Sequence, residues 1–353
     1  MPLTFDNELV ERFAKTLDKA KKIVILSHMN PDGDAVGSLL ATYNWLKSAF
    51  FAGRTIPEIT PLLPNPVPHD AEYLPGVSKI VDDEHNHELC EQLISDADVI
   101  IGVDFNNAGR VLPLDKALSN SPATKLLIDH HHNPDKELFH TILSVPDLSS
   151  TCELLYWLFA RIIGDSSITL DTARCLYHGI NTDTGCFSYA CDDASLYEAV
   201  AALMRHPVEP SVVHDRLFNS YSVEKLNLLG YLISKRTKLF RDEHFAYFYI
   251  RESELSSLNC KASDLDGLVN YTLIMEEMQV GALVKEDNGR VRISFRAKND
   301  FDVNRFANKY FGGGGHTKAS GATSPYNFND TIQCLETHML KELKLFYNER
   351  RLL

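Results

Sequence analysis

The chain predicts an α/β protein, with an N-terminal domain built on a doubly wound, mainly parallel sheet and a smaller α/β domain after it. Three observations carry this expectation. A strand-length apolar run that opens into a polar loop recurs at Ile23–Leu26, Asp98–Asp104 and Lys125–Asp129. Strand, polar loop, helix is the unit that sets ligands at the carboxyl edge of a parallel sheet. The length, 353 residues, suits two domains, and the second half changes character, with a strictly alternating strand and four successive glycines at 312–315.

Composition narrows the class. Hydrophobic residues make up 44% of the chain, and no apolar run approaches the roughly 20 residues of a membrane helix. The start, Met1-Pro2-Leu3-Thr4-Phe5-Asp6, has no basic segment leading into an apolar one, so no secretory signal is expected. Seven scattered cysteines, odd in number and without a Cys-x-x-Cys pair, point to free thiols in a reducing cytoplasm. A net charge of −13 lacks the basic footprint of a protein that grips long nucleic acid. A small anionic substrate in a focused site fits better, and part of the acidity suits carboxylates that a bound cation would neutralise.

In chain order, Leu9, Val10, Phe13, Leu17 and Ala20 recur at helical spacing and predict a helix over 4–22. After the strand Ile23–Leu26 come His28, Asp32 and Asp34, at i, i+4 and i+6, then Leu39, Leu40, Tyr43 and Leu46 in helical pattern. A loop can turn all three polar residues toward one point, where carboxylates suit hard cations and imidazole suits manganese, iron or zinc. Asn30-Pro31-Asp32-Gly33-Asp34 also suits a plain turn. Residues 57–75, rich in proline, read as a surface loop. The second strand ends in Asp104, and although an acid there is often a helix cap, recurrence of the arrangement favours function. The third delivers Asp129-His130-His131-His132. Adjacent residues on an extended segment point opposite ways, so His130 and His131 are expected to divide metal and substrate between them, with His132 a bystander. A helix from about Leu170 then runs into a turn, Gly179-Ile180-x-x-Asp183-Thr184-Gly185. Its glycines permit close approach and positive φ, Asp183 adds a carboxylate, and His178 packs.

Residues 191–225 read as connecting helices between domains at 1–190 and 226–353. In the second half, strands are expected at 244–250 and 278–285, a helix over 264–275 and a terminal helix over 331–346. Arg290–Lys298 alternates strictly, with Val291, Ile293 and Phe295 on the buried face. Arg290 and Arg292 read as protection on a solvated edge strand, and Arg296, with Ser294 beside it, as an anion ligand. Gly312-Gly313-Gly314-Gly315-His316 is expected to bring backbone close to a ligand, as a nest of exposed N–H groups, with His316 donating to phosphate or stacking on a base.

His28, Asp32, Asp34, Asp104, His130 and Asp183 could make a dinuclear centre with one bridging carboxylate. Two ions about 3.5–4 Å apart clamp the attacking and leaving oxygens of a phosphoryl displacement, and a hydroxide shared between them would attack phosphorus. The mixed donor set favours Mn²⁺.

The motifs His-x-x-Pro-Asp-x-Asp-Ala-x-Gly-Ser, the Val103-Asp104 strand end, Asp129-His130-His131 and Gly-Ile-x-x-Asp-Thr-Gly, in this order over residues 23–187, resemble the DHH phosphoesterase superfamily. The Gly-Gly-Gly-Gly-His run with Ser294-x-Arg296 upstream resembles its DHH-associated C-terminal domain. The resemblance implies that His28, Asp32 and Asp104 hold one Mn²⁺ and that Asp34, Asp104, His130 and Asp183 hold the other, with Asp104 bridging. It implies that His131 faces the scissile phosphate and that Asp129 orients a histidine. It further implies a catalytic cleft between the domains, with Ser294, Arg296, Gly313, Gly314, Gly315 and His316 binding the nucleotide end.

Two domains without insertions look most like the nanoRNase and pAp-phosphatase branch. The implied activity is Mn²⁺-dependent hydrolysis of short oligoribonucleotides or dinucleotides such as pApA to nucleoside monophosphates, and of 3′-phosphoadenosine 5′-phosphate. Alternatives are a cyclic dinucleotide phosphodiesterase, a pyrophosphatase or polyphosphatase, for which a basic clamp would be expected in place of the glycine run, and a non-catalytic nucleotide sensor. The expected partners are mono-, di- or short oligonucleotides, with no long duplex and no membrane; a homodimer is compatible with the sequence.

Overall fold

The apolar runs of the first half pair into one sheet of six parallel strands: β1 (Lys22–Leu26), β2 (Glu58–Leu63), β3 (Val81–Asp82), β4 (Val99–Val103), β5 (Thr124–Asp129) and β6 (Thr141–Ser144). Their spatial order is β3-β2-β1-β4-β5-β6. The order reverses between β1 and β4, and a switch point of this kind opens a crevice beyond the carboxyl ends of the strands. Alternate residues serve opposite faces: Ile23 and Ile25 of β1 join one core, Val24 and Leu26 the other. Both faces are covered, which is why these strands read as continuous apolar runs.

The computed structural model describes residues 5–350, so Met1–Thr4, including the expected helix start at Thr4, lie outside the described residues. The first helices are α1 (Asn7–Lys19), α2 (Gly33–Trp45), α3 (Asp83–Asp96), α4 (Asp115–Asn120), α5 (Thr151–Ile162), α6 (Leu170–Asp183), α7 (Ala194–Leu203) and α8 (Pro210–Phe218). Helices α1, α2, α5 and α6 bury Phe13, Leu17, Leu39, Trp45, Phe159 and Leu176 against one face. Trp45 stacks on Phe159 with ring centroids 4.1 Å apart.

Two expectations need correction here. The stretch 57–75 is not all surface loop, because β2 runs through it with Leu62 and Leu63 fully buried. Its proline is tolerated for a reason: Leu62 turns its carbonyl to Ser27, so Pro61 turns its nitrogen away from β1, beyond the two-residue β3. The helices expected as connectors pack elsewhere: Leu196, Ala199, Leu203 and Val213 of α7 and α8 belong to the first core. The chain divides into two units after Ser220.

The second unit carries a mixed sheet of β7 (Thr237–Phe240), β8 (Phe245–Ile250), β9 (Val280–Asp287), β10 (Arg290–Ala297), β11 (Gly314–His316) and β12 (Ala319–Ser324). Its order is β11-β12-β10-β9-β8-β7, with only β8 and β9 paired in parallel. Its helices are α9 (Val223–Lys235), α10 (Glu252–Ser257), α11 (Val303–Phe311) and α12 (Phe328–Arg350). Val291, Ile293 and Phe295 pack beneath α11 and α12 with Phe306, Phe311, Leu335 and Met339. Strand β10 is therefore an interior strand, not the edge that its arginines suggested. The helix expected over 264–275 is replaced by short 3₁₀ turns at Ala262–Leu265 and Leu268–Leu273, separated by Gly267 at φ 81°, a left-handed break that no α-helix passes through. Among the described residues no cysteine is in a disulfide, and no helix is long and apolar enough to cross a membrane.

Candidate active site

The switch point collects the polar ends of three strands and two helices. His28 follows β1, Asp104 follows β4, and Asp129-His130-His131 close β5. Asp32 caps α2, accepting from the N–H groups of Asp34 and Ala35, and Asp34 sits in its first turn. Asp183 is the last residue of α6. Three groups of ligand atoms lie within 4.8 Å of one another: His28, Asp32, Asp104; Asp34, His130, Asp183; and Asp104, His130, His131. All six residues expected as metal ligands are thus brought together. Asp104 lies at the centre, with His28 Nε2 at 3.3 Å from its Oδ2, and His130 Nε2 and His131 Nδ1 each at 3.7 Å from its Oδ1. Its backbone is left-handed at φ 63°, a conformation that aspartate tolerates better than most residues and that clusters at functional sites.

Backbone carbonyls aim the imidazoles. His28 Nδ1 is 3.0 Å from Met29 O and His130 Nδ1 is 3.2 Å from Leu148 O. Each carbonyl accepts the Nδ1 proton, which turns Nε2 toward the carboxylates, the orientation a metal ligand needs. His131 is turned the other way. Its Nδ1 donates to Asp129 Oδ1 at 2.8 Å, and Asp129 is fully buried.

Glycine makes the convergence of α2 and α6 sterically feasible. A Cβ on Gly37 would lie 2.7 Å from Cys175 O, one on Gly33 2.4 Å from Thr182, and one on Gly179 2.3 Å from Cys152 Sγ and 2.7 Å from Asp34 Oδ1. This corrects the expected turn over 179–185, because α6 continues through Gly179 to Asp183 and only Gly185, at φ 53°, lies in the turn. Gly179 serves close approach and Gly185 positive φ.

Thr151 and Cys152 were missed in the sequence. The N-terminus of α5 holds the buried Asp34, with Thr151 N donating to Oδ2 at 2.7 Å and Cys152 N to Oδ1 at 3.0 Å. Thr151 Oγ1 donates to Asp104 Oδ1 at 2.9 Å. Ser150-Thr151-Cys152-Glu153 before the run Leu154–Phe159 is a capping-box spacing that marks this terminus, with Ser150 accepting from Glu153 N. His178 is not among the ligands; Tyr73 meets its Nδ1 at 3.2 Å, and burial pushes it down to about 4.

The charge balance fits divalent cations. Burial opposes ionisation of Asp34 and Asp183, and repulsion among neighbouring carboxylates adds to it; Asp34 is raised well above the usual range and Asp183 to about 6 even against His130. Burial also opposes charge on His28, yet its hydrogen bond to Asp104 and the charges of Asp32 and Asp104 lift it to about 9. Asp104, despite burial, is held well below the carboxylate range by His28, His130 and His131. Protons are thus doing the work of cations among buried acids and imidazoles, and ligands of this mixed oxygen and nitrogen type could hold two metal ions in their place.

The second unit has its own polar face, set by register. Arg296 of β10 lies opposite Ala319 of β12, which lies opposite His316 of β11; Ser294, Gly321 and Gly314 form the next row. Directly opposed residues share a face, so Ser294, Arg296 and His316 flank a floor of Ala319, Gly321 and Gly314. Arg296 Nη1 donates to Phe295 O at 2.9 Å. The glycine run differs from the expected nest. Gly312, left-handed at φ 64°, closes α11, and the N–H groups of Gly312 and Gly313 donate to Asn308 O and Ala307 O. Gly313 and Gly315 are needed because a Cβ there would lie 2.2 Å from Gly321 O and 2.6 Å from Ala319 O. Glycine serves the tight β11–β12 pairing, and the N–H groups of Gly312 and Gly313 are already engaged.

The family model for the DHH family, N-terminal domain, matches residues 22–180, and that for the DHHA1 domain matches residues 242–342. The bifunctional oligoribonuclease and PAP phosphatase NrnA of Bacillus subtilis is 25% identical over 325 residues, 91% of this chain and 95% of that protein. Its namesake from Thermus thermophilus is 27% identical over 305 residues, 85% of this chain and 83% of that protein. A crystal structure of an exopolyphosphatase-related protein from Bacteroides fragilis superposes with a TM-score of 0.91 at 31% identity, covering 97% of this chain and 99% of that one. The parallel sheet with its acid- and imidazole-bearing strand ends and the mixed-sheet unit that follows it in the chain therefore have one common explanation: the chain belongs to the DHH family and is a phosphoester hydrolase.

Proposed function

We propose that this hydrolase is a two-metal phosphoesterase that cleaves short oligoribonucleotides and dinucleotides such as pApA to nucleoside monophosphates, removes phosphate from 3′-phosphoadenosine 5′-phosphate, and uses Mn²⁺. The observation that carries the reading is the inward aim of His28 Nε2 and His130 Nε2 onto Asp104, with Asp32, Asp34 and Asp183 completing the donor set. His28, Asp32 and Asp104 would hold one ion, Asp34, Asp104, His130 and Asp183 the other, and Asp104 would bridge. When bound, two such ions supply Lewis-acid stabilisation of a phosphoryl displacement and a water acidic enough to attack at neutral pH.

The protein's own groups do the rest. The α5 N-terminus orients Asp34 and offsets part of the burial that opposes its ionisation, and the Thr151 hydroxyl orients one oxygen of Asp104. Asp129 accepts the His131 Nδ1 proton and orients the ring, so that Nε2 can meet the phosphoryl group and, when it also carries a proton, give that proton to the leaving oxygen. Arg296 and His316, with Ser294 and the glycine strand, would bind the nucleotide end through charge and a flat, small-residue floor. The relatives named as bifunctional oligoribonuclease and PAP phosphatase support this substrate class over pyrophosphate.

The test is a panel of pApA, 3′-phosphoadenosine 5′-phosphate, cyclic di-AMP, pyrophosphate and an RNA of about 20 nucleotides, each with Mn²⁺. Cleavage of pApA far faster than the long RNA is expected, because a chain of net charge −13 lacks the extended basic groove that long strands need. Preference for pyrophosphate, or equal rates on short and long RNA, would overturn the assignment.

A further inference from the structure

The segment that follows Asp183 is held in an unusual shape. Gly185, Cys186 and Phe187 are consecutively left-handed, at φ 53°, 51° and 62°, and Ala190 follows at φ 44°. Left-handed backbone is disfavoured for side chains with a Cβ and most of all for a bulky ring such as Phe187. Such departures persist where surrounding bonds impose them, and they cluster at functional sites. Here the bonds converge on one residue: Ser188 N and Tyr189 N both donate to Thr184 O, at 2.7 and 2.9 Å, and Phe187 N donates to Thr184 Oγ1 at 3.0 Å. Cys186 N donates to Asn181 O at 2.8 Å, and the Cys191 thiol donates to Phe187 O. Phe187 stacks on Tyr197 of α7 with centroids 6.0 Å apart.

The outcome is a presented ring. Tyr189 is 55% exposed, and a Cβ on Gly185 would lie 2.6 Å from its Cε2, so the ring lies against the one residue of the turn without a side chain, two positions beyond Asp183. Phe187 turns inward to the first core while Tyr189 turns outward, and the Tyr189 hydroxyl has no hydrogen-bond partner among the described residues. A flat amphipathic ring presented on the turn that follows Asp183 is an element suited to bind a nucleobase through its π-face, tolerant of base identity.

We propose that Tyr189 is a specificity-determining residue of the first unit: its ring stacks on a base of the nucleotide whose phosphate is held at the acid and imidazole centre. The proposal rests on the nucleotide-phosphoesterase reading. It assigns recognition of the base to the catalytic unit itself, separately from Arg296 and His316.

The experiment compares kcat/KM for pApA with that for the same diester carrying abasic riboses, in wild type and in Tyr189→Ala, Tyr189→Leu and Tyr189→Phe, with folding checked by circular dichroism. The ratio of the two constants is expected to fall by about 5- to 100-fold in the alanine and leucine variants, mainly through KM, and to be kept by phenylalanine. The leucine and phenylalanine pair preserves side-chain bulk, so their difference reports stacking and not loop collapse. A ratio unchanged in the alanine variant, or equal in the leucine and phenylalanine variants, would overturn the role of Tyr189 while leaving the phosphoesterase reading intact. A wild type that hydrolyses neither diester would overturn the nucleotide reading itself, and the proposal with it.

Discussion

In the first unit, six acid and imidazole side chains from separate segments meet because every parallel strand ends at one edge of the sheet. In the second unit, Arg296 and His316 share a face because two antiparallel registers put them in one row across Ala319. The first arrangement is made mostly of buried, mutually coupled charges, with Asp32 exposed at its rim. The second is made of half-buried and exposed groups on a floor of small side chains. Coupled buried charges fail together when one is removed, whereas groups on an open face are lost one contact at a time.

The largest effect should come from the hub of the first arrangement. Asp104→Ala removes the carboxylate shared by three imidazoles. Metal affinity should fall by more than the roughly 10–100-fold typical of losing an outer-shell partner, and turnover with it, while circular dichroism stays near wild type. Metal analysis alongside pApA hydrolysis checks this, and near-normal activity would break the idea of a shared centre. His131 should separate chemistry from metal binding within the same cluster. His131→Ala should keep its metal and lose about 10²–10⁴ in rate, as expected for a proton donor to the leaving group. Loss of both ions would make His131 a ligand instead.

On the other side of the comparison, Arg296→Ala and His316→Ala should each raise KM for pApA by about 10- to 100-fold, the worth of a hydrogen bond to a charged group. Bound metal measured in the same samples should not move, and a loss of metal in either variant would erase the distinction between the two regions.

The smallest effect concerns stability. His178 is held neutral by burial, with its pKa pushed from 6.5 down to about 4. The unfolded chain therefore binds the proton more readily between these values. Its contribution to stability is intact above about pH 6.5, is lost progressively as the pH falls toward 4, and amounts to about 3 kcal/mol over that window. Urea unfolding of wild type and His178→Phe across this range should show curves that converge at low pH. Parallel curves would mean that the imidazole is not buried in its neutral form.

The residues of the acid and imidazole centre could be read along the chain because each stands at the end of an apolar run or at a helix terminus. Which edge of the strand carries chemistry follows from chain direction alone. Thr151 and Cys152 escaped notice because nothing local says that the N-terminus of α5 meets an acid more than a hundred residues earlier, although the capping box at Ser150 marks that terminus. Strand β2 was hidden by Pro57, Pro61 and Pro64, whose effect depends on which side of the strand lacks a partner. The glycines of 312–315 were legible as a constraint but not as its cause: the tight contact is with β12, a partner that local sequence does not name.

Sequence by itself determined the α/β class, the buried strands and the identity of the acids and imidazoles, since all three depend on hydrophobic period and on residues adjacent to it. Only the tertiary structure decided that β10 is interior, that α6 carries Asp183 on a helix packed closely against α2, and that α7 and α8 belong to the first core. Strand order, helix approach and cross-strand register are contacts between distant parts of the chain, and their energies are set by which partner arrives, not by the local pattern that each segment carries.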